Sequence, residues 1–180
     1  MLEDKLLILK CRRGSRVAFQ RVYEKYEGDL RTVAANLLND KSAAEDIVHD
    51  VFVSFLSVVD TFRLKRSLAG YLKTCVTNRA RNYAKRKQNR TVTFNEDYQY
   101  VSKNDEPVRL LIKSEELHML SAAMDRLPYE QREAVVLRLH GQMKLKRIAE
   151  LQEVSIKTVH SRYQTALAGL KSMLNSKVKK

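Results

Sequence analysis

The feature that most constrains the fold is a helical spacing of apolar residues, which continues through most of this 180-residue chain. In residues 17–38, apolar side chains recur at steps of three and four, as they do along one face of an α-helix. A second apolar stripe occupies residues 47–59, and a third helical segment begins near Leu68 and continues into a basic tail. With only five Gly and two Pro residues, the chain has few points at which helices must end. The spacing therefore predicts an all-α fold.

Polar residues mark the ends of the helices in the first half of the chain. Ser42 and Glu45 match a capping box, in which both side chains bond to backbone amides, and they predict the start of the second helix. Residues 60–67 have the composition of a loop, and Ser67 is the expected N-cap of the third helix. The first half is therefore expected to be a small bundle of helices.

The second half contains a helix-turn-helix pattern. Helical spacing returns at Ser114 in a segment closed by Pro128, where Leu117 and Leu120 are expected on the apolar side, and a further helix ends near Gly141. A short helix at about residue 145, a tight turn at "QEV" and a last helix capped by Ser155 then follow each other closely. Two helices joined by so short a turn are typical of a DNA-binding motif.

A polar segment separates the two halves. Residues 91–113 have no helical period and contain the Asn, Asp and Pro residues of a linker. We therefore expect two small helical domains, residues 1–90 and 114–180, joined by a flexible linker at 91–113.

The charge of the chain points to a polyanionic partner. There are 34 Lys and Arg residues against 21 Asp and Glu, a net charge of +13 with a pI near 9.8. Residues 1–90 hold 19 cations against 10 acids and residues 114–180 hold 12 against 7, whereas residues 91–113 hold 3 against 4. Two basic lobes therefore flank a slightly acidic connector. DNA, RNA and an anionic membrane surface are the partners that such charge favours.

Targeting signals and cysteines favour the cytoplasm. The start "MLEDKLLILK" has acids ahead of a short apolar run, which is the wrong order for a secretory signal. No stretch approaches the ~20 apolar residues of a membrane-spanning helix. Cys11 and Cys75 are far apart and fit no metal-ligand spacing, and two free thiols suit a reducing compartment.

The last helix has a polar side suited to reading DNA. Arg and Lys pair with guanine, Gln pairs with adenine, and a helix fits the major groove. Ile156, Val159 and Tyr163 are expected to face the core. The opposite side carries Lys157, Thr158, His160, Ser161, Arg162, Gln164 and Thr165. Cations that could hold phosphates on the preceding helix are Lys144, Lys146 and Arg147. The alternative is a polar face that contacts only water.

The basic tail of the third helix could bind a strand of nucleic acid. Its cations surround the helix rather than forming one stripe, so the tail is expected to project beyond its own core. The members of this set are Arg79, Arg81, Lys85, Arg86, Lys87 and Arg90. Asn78 and the loop from Phe62 to Ser67 could hold an unstacked base through amide hydrogen bonds, ring stacking and cations. The alternatives are a solubilising helix end with a favourable dipole interaction, and an Asn78 that bonds to the backbone.

The sequence gives catalysis little support. The four histidines are scattered, and no metalloprotease, nucleophile-elbow or phosphate-binding loop motif is present. Glu45, Asp46 and Asp50 form an acidic face on the second helix, which is either solvated or a docking face for a basic partner. We expect no catalytic residue, no metal site and no cofactor, so the chain is not expected to be an enzyme.

Three stretches of the sequence resemble a known family. "AFQRVYEKYEGDL" followed by "SAAEDIVHDVFVSFL", and then "GYLKTCVTNRARNYAKRKQNR", resemble domain two of the sigma-70 family of bacterial RNA polymerase sigma factors. "LPYEQREAVVLRLHGQMKLKRIAELQEVSIKTVHSRYQTAL" resembles domain four. With only these two domains, the chain is similar to the extracytoplasmic-function (ECF) group. The resemblance implies two partners, core RNA polymerase and promoter DNA, and an anti-sigma factor is common in the group.

The resemblance also implies a role for particular residues. Docking on core polymerase would involve Glu45, Asp46, Val48, His49 and Phe52. Reading of the −10 element would involve Phe62, Arg63, Lys65, Arg66, Asn78, Arg79, Arg81, Lys85 and Arg86. Reading of the −35 element would involve Lys144, Lys146, Arg147, Ser155, Lys157, Thr158, His160, Ser161, Arg162 and Thr165. The acidic connector would pass through the RNA exit path.

Several residues depart from the family pattern. His49 stands where Gln is usual, Arg147 where Glu is usual, and Thr165 and Leu167 stand where the family has cations. Glu153 replaces the customary turn glycine, so the turn must either avoid a positive φ or bear strain. These departures predict an altered −35 preference. The competing hypotheses are a freestanding helix-turn-helix regulator and an enzyme that acts on nucleic acid.

Overall fold

The structure is a computed structural model that describes residues 2–64, 66–90 and 109–178. These ranges contain eight helices and no strand, which confirms the predicted all-α fold. The helices are α1 (Leu2–Arg12), α2 (Arg16–Leu38), α3 (Lys41–Val58), α4 (Leu68–Arg90), α5 (Arg109–Asp125), α6 (Tyr129–Leu139), α7 (Leu145–Gln152) and α8 (Ile156–Val178).

The chain divides into two compact units. The first is Met1–Lys85 with Leu139–Met143, and the second is Arg86–Arg138 with Lys144–Lys180. Most of the predicted linker lies outside the described residues, although α5 begins at Arg109, five residues before the predicted start at Ser114. Among the described residues, no helix has the length and apolar character that crossing a membrane requires.

Helices α2 and α3 form the core of the first unit. Their apolar faces bury Val22, Leu30, Val33 and Leu37 against Phe52 and Phe55, all at most 1% exposed. The turn between the helices is made by Asn39, which adopts the left-handed conformation with a φ of 50°. Asn is among the few residues that take this conformation readily, so the end of α2 has a local cause.

The N-cap of α3 differs from the prediction. Asp40 caps this helix, and its side chain accepts a hydrogen bond from the Ala43 amide at 3.0 Å. Ser42 lies inside the first turn and is exposed, so the predicted capping box with Glu45 is wrong. Asp40 also accepts a hydrogen bond from the Tyr83 hydroxyl at 2.9 Å, which ties the basic end of α4 to the start of α3.

Helix α1 was not expected from the sequence, and a buried polar cluster holds it on α2. The carboxylate of Asp4 accepts hydrogen bonds from the Tyr26 hydroxyl at 2.6 Å and from the Lys25 ammonium at 2.9 Å. Leu7 and Ile8 are also buried. One face of α1 is therefore fixed by both apolar and charge-assisted contacts.

Helix α4 begins and packs as its sequence predicts. The Ser67 side chain accepts a hydrogen bond from the Gly70 amide at 3.0 Å, which confirms it as the N-terminal capping residue. Leu68, Leu72 and Val76 recur every four residues and are fully buried. From Lys85 onward the described side chains of this helix are exposed, so the basic tail extends past its core.

In the second unit, α5, α6 and α8 pack around a smaller apolar cluster, and α7 packs against α8 with Ile148 and Ala149 buried. The cluster consists of Ala123, Leu127, Val135, Ala166 and Leu170. Leu117 and Leu120 are 58% and 40% exposed, contrary to the prediction, because the cluster begins only at Ala123 on this helix.

Candidate nucleic-acid interface

The loop between α3 and α4 presents cations beside an aromatic cluster. The Phe62 ring lies 4.6 Å from the Tyr71 ring and 5.4 Å from the Phe55 ring, measured between centroids. Phe62 remains half-exposed, while Arg63 and Arg66 are exposed. Lys65 lies outside the described residues. The loop thus offers an aromatic ring that is held in place and cations that face solvent.

Arg12 of α1 fastens this loop, and sequence reasoning did not identify it. Its Nε donates a hydrogen bond to the Val59 carbonyl at 3.0 Å, and its Nη2 donates another to the Phe62 carbonyl. Val59 and Phe62 lie 47 and 50 positions after Arg12 in the sequence. No local pattern in the sequence indicates a contact of that range.

Helix α4 displays the other residues that are predicted to contact the −10 element. Asn78, Lys85 and Arg86 are exposed, and Arg81 is half-buried. Arg79 donates a hydrogen bond from Nη2 to the Ser54 hydroxyl at 2.7 Å. The exposed cations are thus free to reach a phosphate, whereas Arg79 is already oriented by a contact to α3.

The exposed face of α3 is acidic and partly apolar. Glu45, Asp46 and His49 are exposed, and Arg31 approaches Glu45 at 4.0 Å. Two apolar residues on this helix are exposed: Val53 at 52%, which sequence reasoning missed, and Leu56 at 41%, which the apolar stripe wrongly included. They follow His49 at spacings of four and seven residues, so a helical-face count could have found them.

Two residues predicted to dock on polymerase do not lie on this face. Val48 is 3% exposed and Phe52 is 1% exposed. The Phe52 ring packs against Tyr23 at 4.7 Å and Phe19 at 6.2 Å, because it belongs to the apolar stripe that α3 buries against α2. A direct contact through these two side chains is therefore a prediction that the structure corrects.

The turn of the helix-turn-helix uses a strained residue. Glu153 has a φ of 55° and a ψ of 41°, and its amide bonds to the Ala149 carbonyl. The left-handed conformation is unfavourable for a residue with a Cβ, so the turn bears strain rather than avoiding a positive φ. Helix α8 then starts with Ser155, whose hydroxyl accepts a hydrogen bond from the Thr158 amide at 3.0 Å, which confirms the predicted cap.

Helix α8 presents a polar face, as predicted, but one apolar residue that was expected to face the core is exposed. Its exposed polar residues are Lys157, Thr158, His160, Ser161, Gln164 and Thr165. Lys144 and Lys146 are exposed as well, while Arg147 pairs with Glu150 at 2.8 Å. Val159 is fully buried, but Ile156, the first residue of α8, is 49% exposed.

Arg162 is held by a residue that sequence reasoning missed. Its Nη1 donates to Oε1 of Gln152 at 2.7 Å. The Nε2 of Gln152 donates to the Glu133 carboxylate at 2.8 Å and to the Glu130 carbonyl at 3.0 Å. Glu133 is fully buried, so the amide of Gln152 is oriented by a fixed acceptor. The sequence carries no signal for this contact, because Glu133 directly follows the polar residues Gln131 and Arg132.

Cysteine and metal chemistry find no centre in the described ranges. Burial raises the pKa of the Cys11 thiol, and burial is also the main cause of the raised pKa of Cys75. Both thiols are therefore protonated at neutral pH and weak nucleophiles. Within the part of the chain that the structure describes, no group of three His, Cys, Asp or Glu side chains could hold a metal ion.

Comparisons with known proteins match both units. Residues 22–91 match Sigma-70 region 2, and residues 117–170 match Sigma-70, region 4. The RNA polymerase sigma factor SigV of Bacillus subtilis (strain 168) is 26% identical over 142 residues, which cover 79% of this chain and 82% of SigV. The ECF RNA polymerase sigma factor EcfG of Rhodopseudomonas palustris (strain TIE-1) is 25% identical over 145 residues, covering 81% and 78%.

A solved structure has the same fold. The sigma factor RpoE from Bartonella quintana, in complex with the anti-sigma factor NepR, superimposes with a TM-score of 0.70 at 22% identity, covering 87% of this chain and 96% of that one. The two matched regions occupy most of the sequence, in the order of the two predicted domains. The chain belongs to the sigma-70 family of RNA polymerase sigma factors, in its ECF group. Its function is that of a sigma factor, a regulator of transcription initiation that binds core RNA polymerase and directs promoter recognition.

Proposed function

We propose that the first unit docks on core RNA polymerase and reads the −10 element, and that the second unit reads the −35 element. The observation that carries this proposal is the presence of two separate cationic surfaces, one on the α3–α4 loop with α4 and one on α8. We assign residues 1–90 and 114–180 to these roles, with 91–113 as the connector. The compartment is then the cytoplasm, where the polymerase acts.

The −10 surface combines a base-binding group with backbone-binding groups. Exposed Asn78 supplies amide donors and acceptors, and the half-exposed Phe62 ring supplies a stacking surface. Arg63 and Arg66, with Lys85 and Arg86, supply charge for phosphates. Stacking with amide hydrogen bonds suits a base that has left the duplex, so this surface is better matched to an open strand than to intact duplex.

The −35 surface has the geometry of a recognition helix in the major groove. Lys157 and Ser161 are four residues apart and exposed, and Arg162 is oriented by Gln152. Base edges are read through side chains of this type. Arg147 pairs with Glu150 on its own helix, so its charge is partly compensated before it meets a phosphate. We expect the resulting −35 preference to differ from that of relatives with Glu at this position.

The surface for polymerase is the exposed side of α3. Glu45 and Asp46 supply negative charge, and His49, Val53 and Leu56 extend the face with an imidazole and two apolar side chains. A mixed acidic and apolar helix face fits a basic, amphipathic partner surface. Val48 and Phe52 support this face from inside the core.

Reconstituted transcription tests the proposed function. Core polymerase with the purified full chain is expected to initiate selectively from a subset of a genomic fragment library, whereas core polymerase alone is not. A freestanding regulator would bind DNA without associating with core polymerase. An enzyme acting on nucleic acid would change the DNA or RNA covalently in the absence of polymerase; we infer that this chain has no such activity.

Asn78→Ala separates base capture from duplex binding. We expect this variant to impair promoter opening by about tenfold while changing closed-complex affinity little, since one good base contact is worth ~1–3 kcal/mol. Permanganate reactivity of the −10 thymines measures opening, and footprinting on ice measures the closed complex. Asn82→Ala is the matched control, an exposed asparagine four residues further along the same helix. Equal losses in opening and in closed binding would remove Asn78 from base capture.

An anti-sigma factor is a candidate partner. The similar RpoE structure is a complex with the anti-sigma factor NepR. We infer that a protein of this type could cover the α3 face or the α8 face of the present chain. Competition between core polymerase and a co-purifying protein from the native host tests this inference.

A further inference from the structure

We propose that Arg12 is a positioning residue that sets the shape of the loop between α3 and α4 and thereby tunes discrimination at the −10 element. This inference rests on the proposed role of that loop. Arg12 touches neither the base nor the phosphates in this scheme. It acts through the loop backbone, which carries Phe62 and the exposed Arg63.

The geometry of Arg12 suits a clamp. Its guanidinium bridges two carbonyls, that of Val59 at the end of α3 and that of Phe62 in the loop. The last carbonyls of a helix lack partners within the helix and carry the negative end of its dipole, so a cation is favoured there. A planar guanidinium with fixed donor directions holds two acceptors at a defined separation. The Arg12 guanidinium therefore holds the backbone at Val59 and at Phe62, three residues further along the loop.

Helix α1, which carries Arg12, is itself held at both ends. Helix α1 ends at Arg12, and the chain then turns through Gly14, whose φ is +76°. The Ser15 amide bonds to the Lys10 carbonyl at 3.1 Å, which fixes this turn. At its other end α1 is held by the contacts of Asp4 to α2. The backbone of Arg12 is thus held in place on α2.

The clamp also positions the aromatic ring. Because the Phe62 carbonyl is held, the Phe62 side chain projects into the cluster with Phe55 and Tyr71 from a fixed backbone. Tyr71 lies on the same helix as Asn78, seven residues earlier. The Phe62 ring, the loop cations and the Asn78 amide are therefore positioned by the same part of the fold. Loosening the loop would let Phe62 and Arg63 move relative to Asn78.

The experiment compares Arg12→Ala, Arg12→Lys and Arg13→Ala in full-length holoenzyme. Arg13 is exposed and adjacent, so Arg13→Ala removes the same charge without touching the loop. The measurement is the ratio of affinities for a single-stranded −10 oligonucleotide and for the same oligonucleotide with its captured base changed. We expect Arg12→Ala to lower this ratio by about tenfold, the scale of one base contact, and Arg13→Ala to leave it unchanged. Arg12→Lys keeps the charge but loses the planar fork, and we expect it to resemble Arg12→Ala.

Hydrogen exchange gives a second readout. Both Arg12 variants are expected to raise exchange at the amides of Thr61 and Phe62, with exchange in α2 unchanged. If Arg12→Ala also raises exchange at the amides of α2, that variant has disturbed more than the loop. The result for Arg12→Lys is then the one that tests the positioning role. Full discrimination by Arg12→Lys with a fast-exchanging loop, or a ratio that falls equally in Arg13→Ala, would overturn the positioning role. A wild-type holoenzyme without −10 discrimination would overturn the proposed function instead.

Discussion

The two DNA-facing regions differ in how far along the chain their supporting contacts reach. In the first unit, Arg12 reaches Val59 and Phe62 across 47 and 50 residues, and Tyr83 reaches Asp40 across 43. In the second unit, Ser155 caps an amide three residues away, and Gln152 holds Arg162 ten residues away. The −10 region therefore depends on contacts across its whole unit, whereas the −35 region is supported over shorter ranges, such as the 19 and 22 residues that separate Gln152 from Glu133 and Glu130.

The largest expected effect concerns the core of the first unit. We expect Phe52→Ala to destabilise this unit by ~3–5 kcal/mol, because it removes a fully buried aromatic ring and leaves a cavity. Hydrogen exchange of individual peptides at increasing urea concentrations measures the loss of stability in each unit separately. His49→Ala is the control, since the same helix exposes His49 and its loss should change stability little. A stable Phe52→Ala protein that fails only in polymerase association would restore Phe52 as a contact residue.

A smaller effect is expected from the cluster that holds α1. Burial alone raises the pKa of the Asp4 carboxyl, but hydrogen bonds from Tyr26 and Lys25 outweigh burial and lower the pKa below its ordinary value. Burial and the same carboxylate raise the pKa of Tyr26 to about 12. Asp4 therefore stabilises the fold above its unfolded pKa, and this contribution is lost as the pH falls through the lowered value. The protonated Tyr26 stabilises the fold below its ordinary pKa of ~10, and this contribution is lost as the pH rises through about 12.

Asp4→Asn is expected to cost ~1.5–3 kcal/mol near neutral pH, the range for hydrogen bonds to charged groups. It should also flatten the acid and alkaline ends of the stability curve, which urea unfolding between acidic and alkaline pH measures. Glu3→Gln is the control, because Glu3 pairs with the same Lys25 at 2.5 Å but is 68% exposed. Its loss should cost less than ~1 kcal/mol. An equal cost for both variants would mean that burial of Asp4 does not matter to the docking of α1.

Local features of this fold could be predicted from the sequence, and contacts between distant residues could not. Ser67 and Ser155 are caps that the adjoining sequence indicates, since an N-cap bonds to an amide two or three residues away. The start of α3 shows the limit: Asp40 and Ser42 both precede the apolar stripe, and either could cap it. The choice of Asp40 goes with its second bond, to Tyr83, which no local pattern contains.

The site shows the same limit. Periodicity predicted the polar face of α8 because a 3.6-residue repeat separates its two sides. Periodicity could not place Ile156, which has the right spacing but is the first residue of α8 and is exposed. Arg12 and Gln152 were missed because an exposed-type polar residue shows its partner only after the chain has folded. The contacts of Arg12 and Gln152 with residues far along the chain are therefore the part that needed a structure.

In the second unit, the strained turn predicts a gain in stability. Glu153→Gly should stabilise this unit by about 1 kcal/mol, because glycine adopts a φ of 55° without the clash that a Cβ causes. Peptide-resolved hydrogen exchange of α7 and α8 measures the change. Glu153→Ala removes the same charge but keeps a Cβ, so it should bring no gain. A gain in both variants would assign the effect to charge rather than to backbone strain.

The smallest expected effect separates the two arginines of α4. Arg86 is exposed, so Arg86→Ala should lower the slope of log affinity against log salt by about 0.9, the value of one phosphate contact. Arg79→Ala should change the slope less, because its guanidinium is already bonded to Ser54 and acts partly inside the unit. Promoter-fragment affinity of the holoenzyme at several salt concentrations measures both slopes. Gln88→Ala is an uncharged control on the same exposed tail.

If Arg79→Ala and Arg86→Ala lowered the slope equally, Arg79 would contact phosphate as fully as an exposed cation does. Its contact to Ser54 would then belong only to the chain without DNA. If neither lowered it, the tail would not lie along the DNA backbone, and the polyanion contacts of the first unit would have to come from Arg63 and Arg66 in the loop.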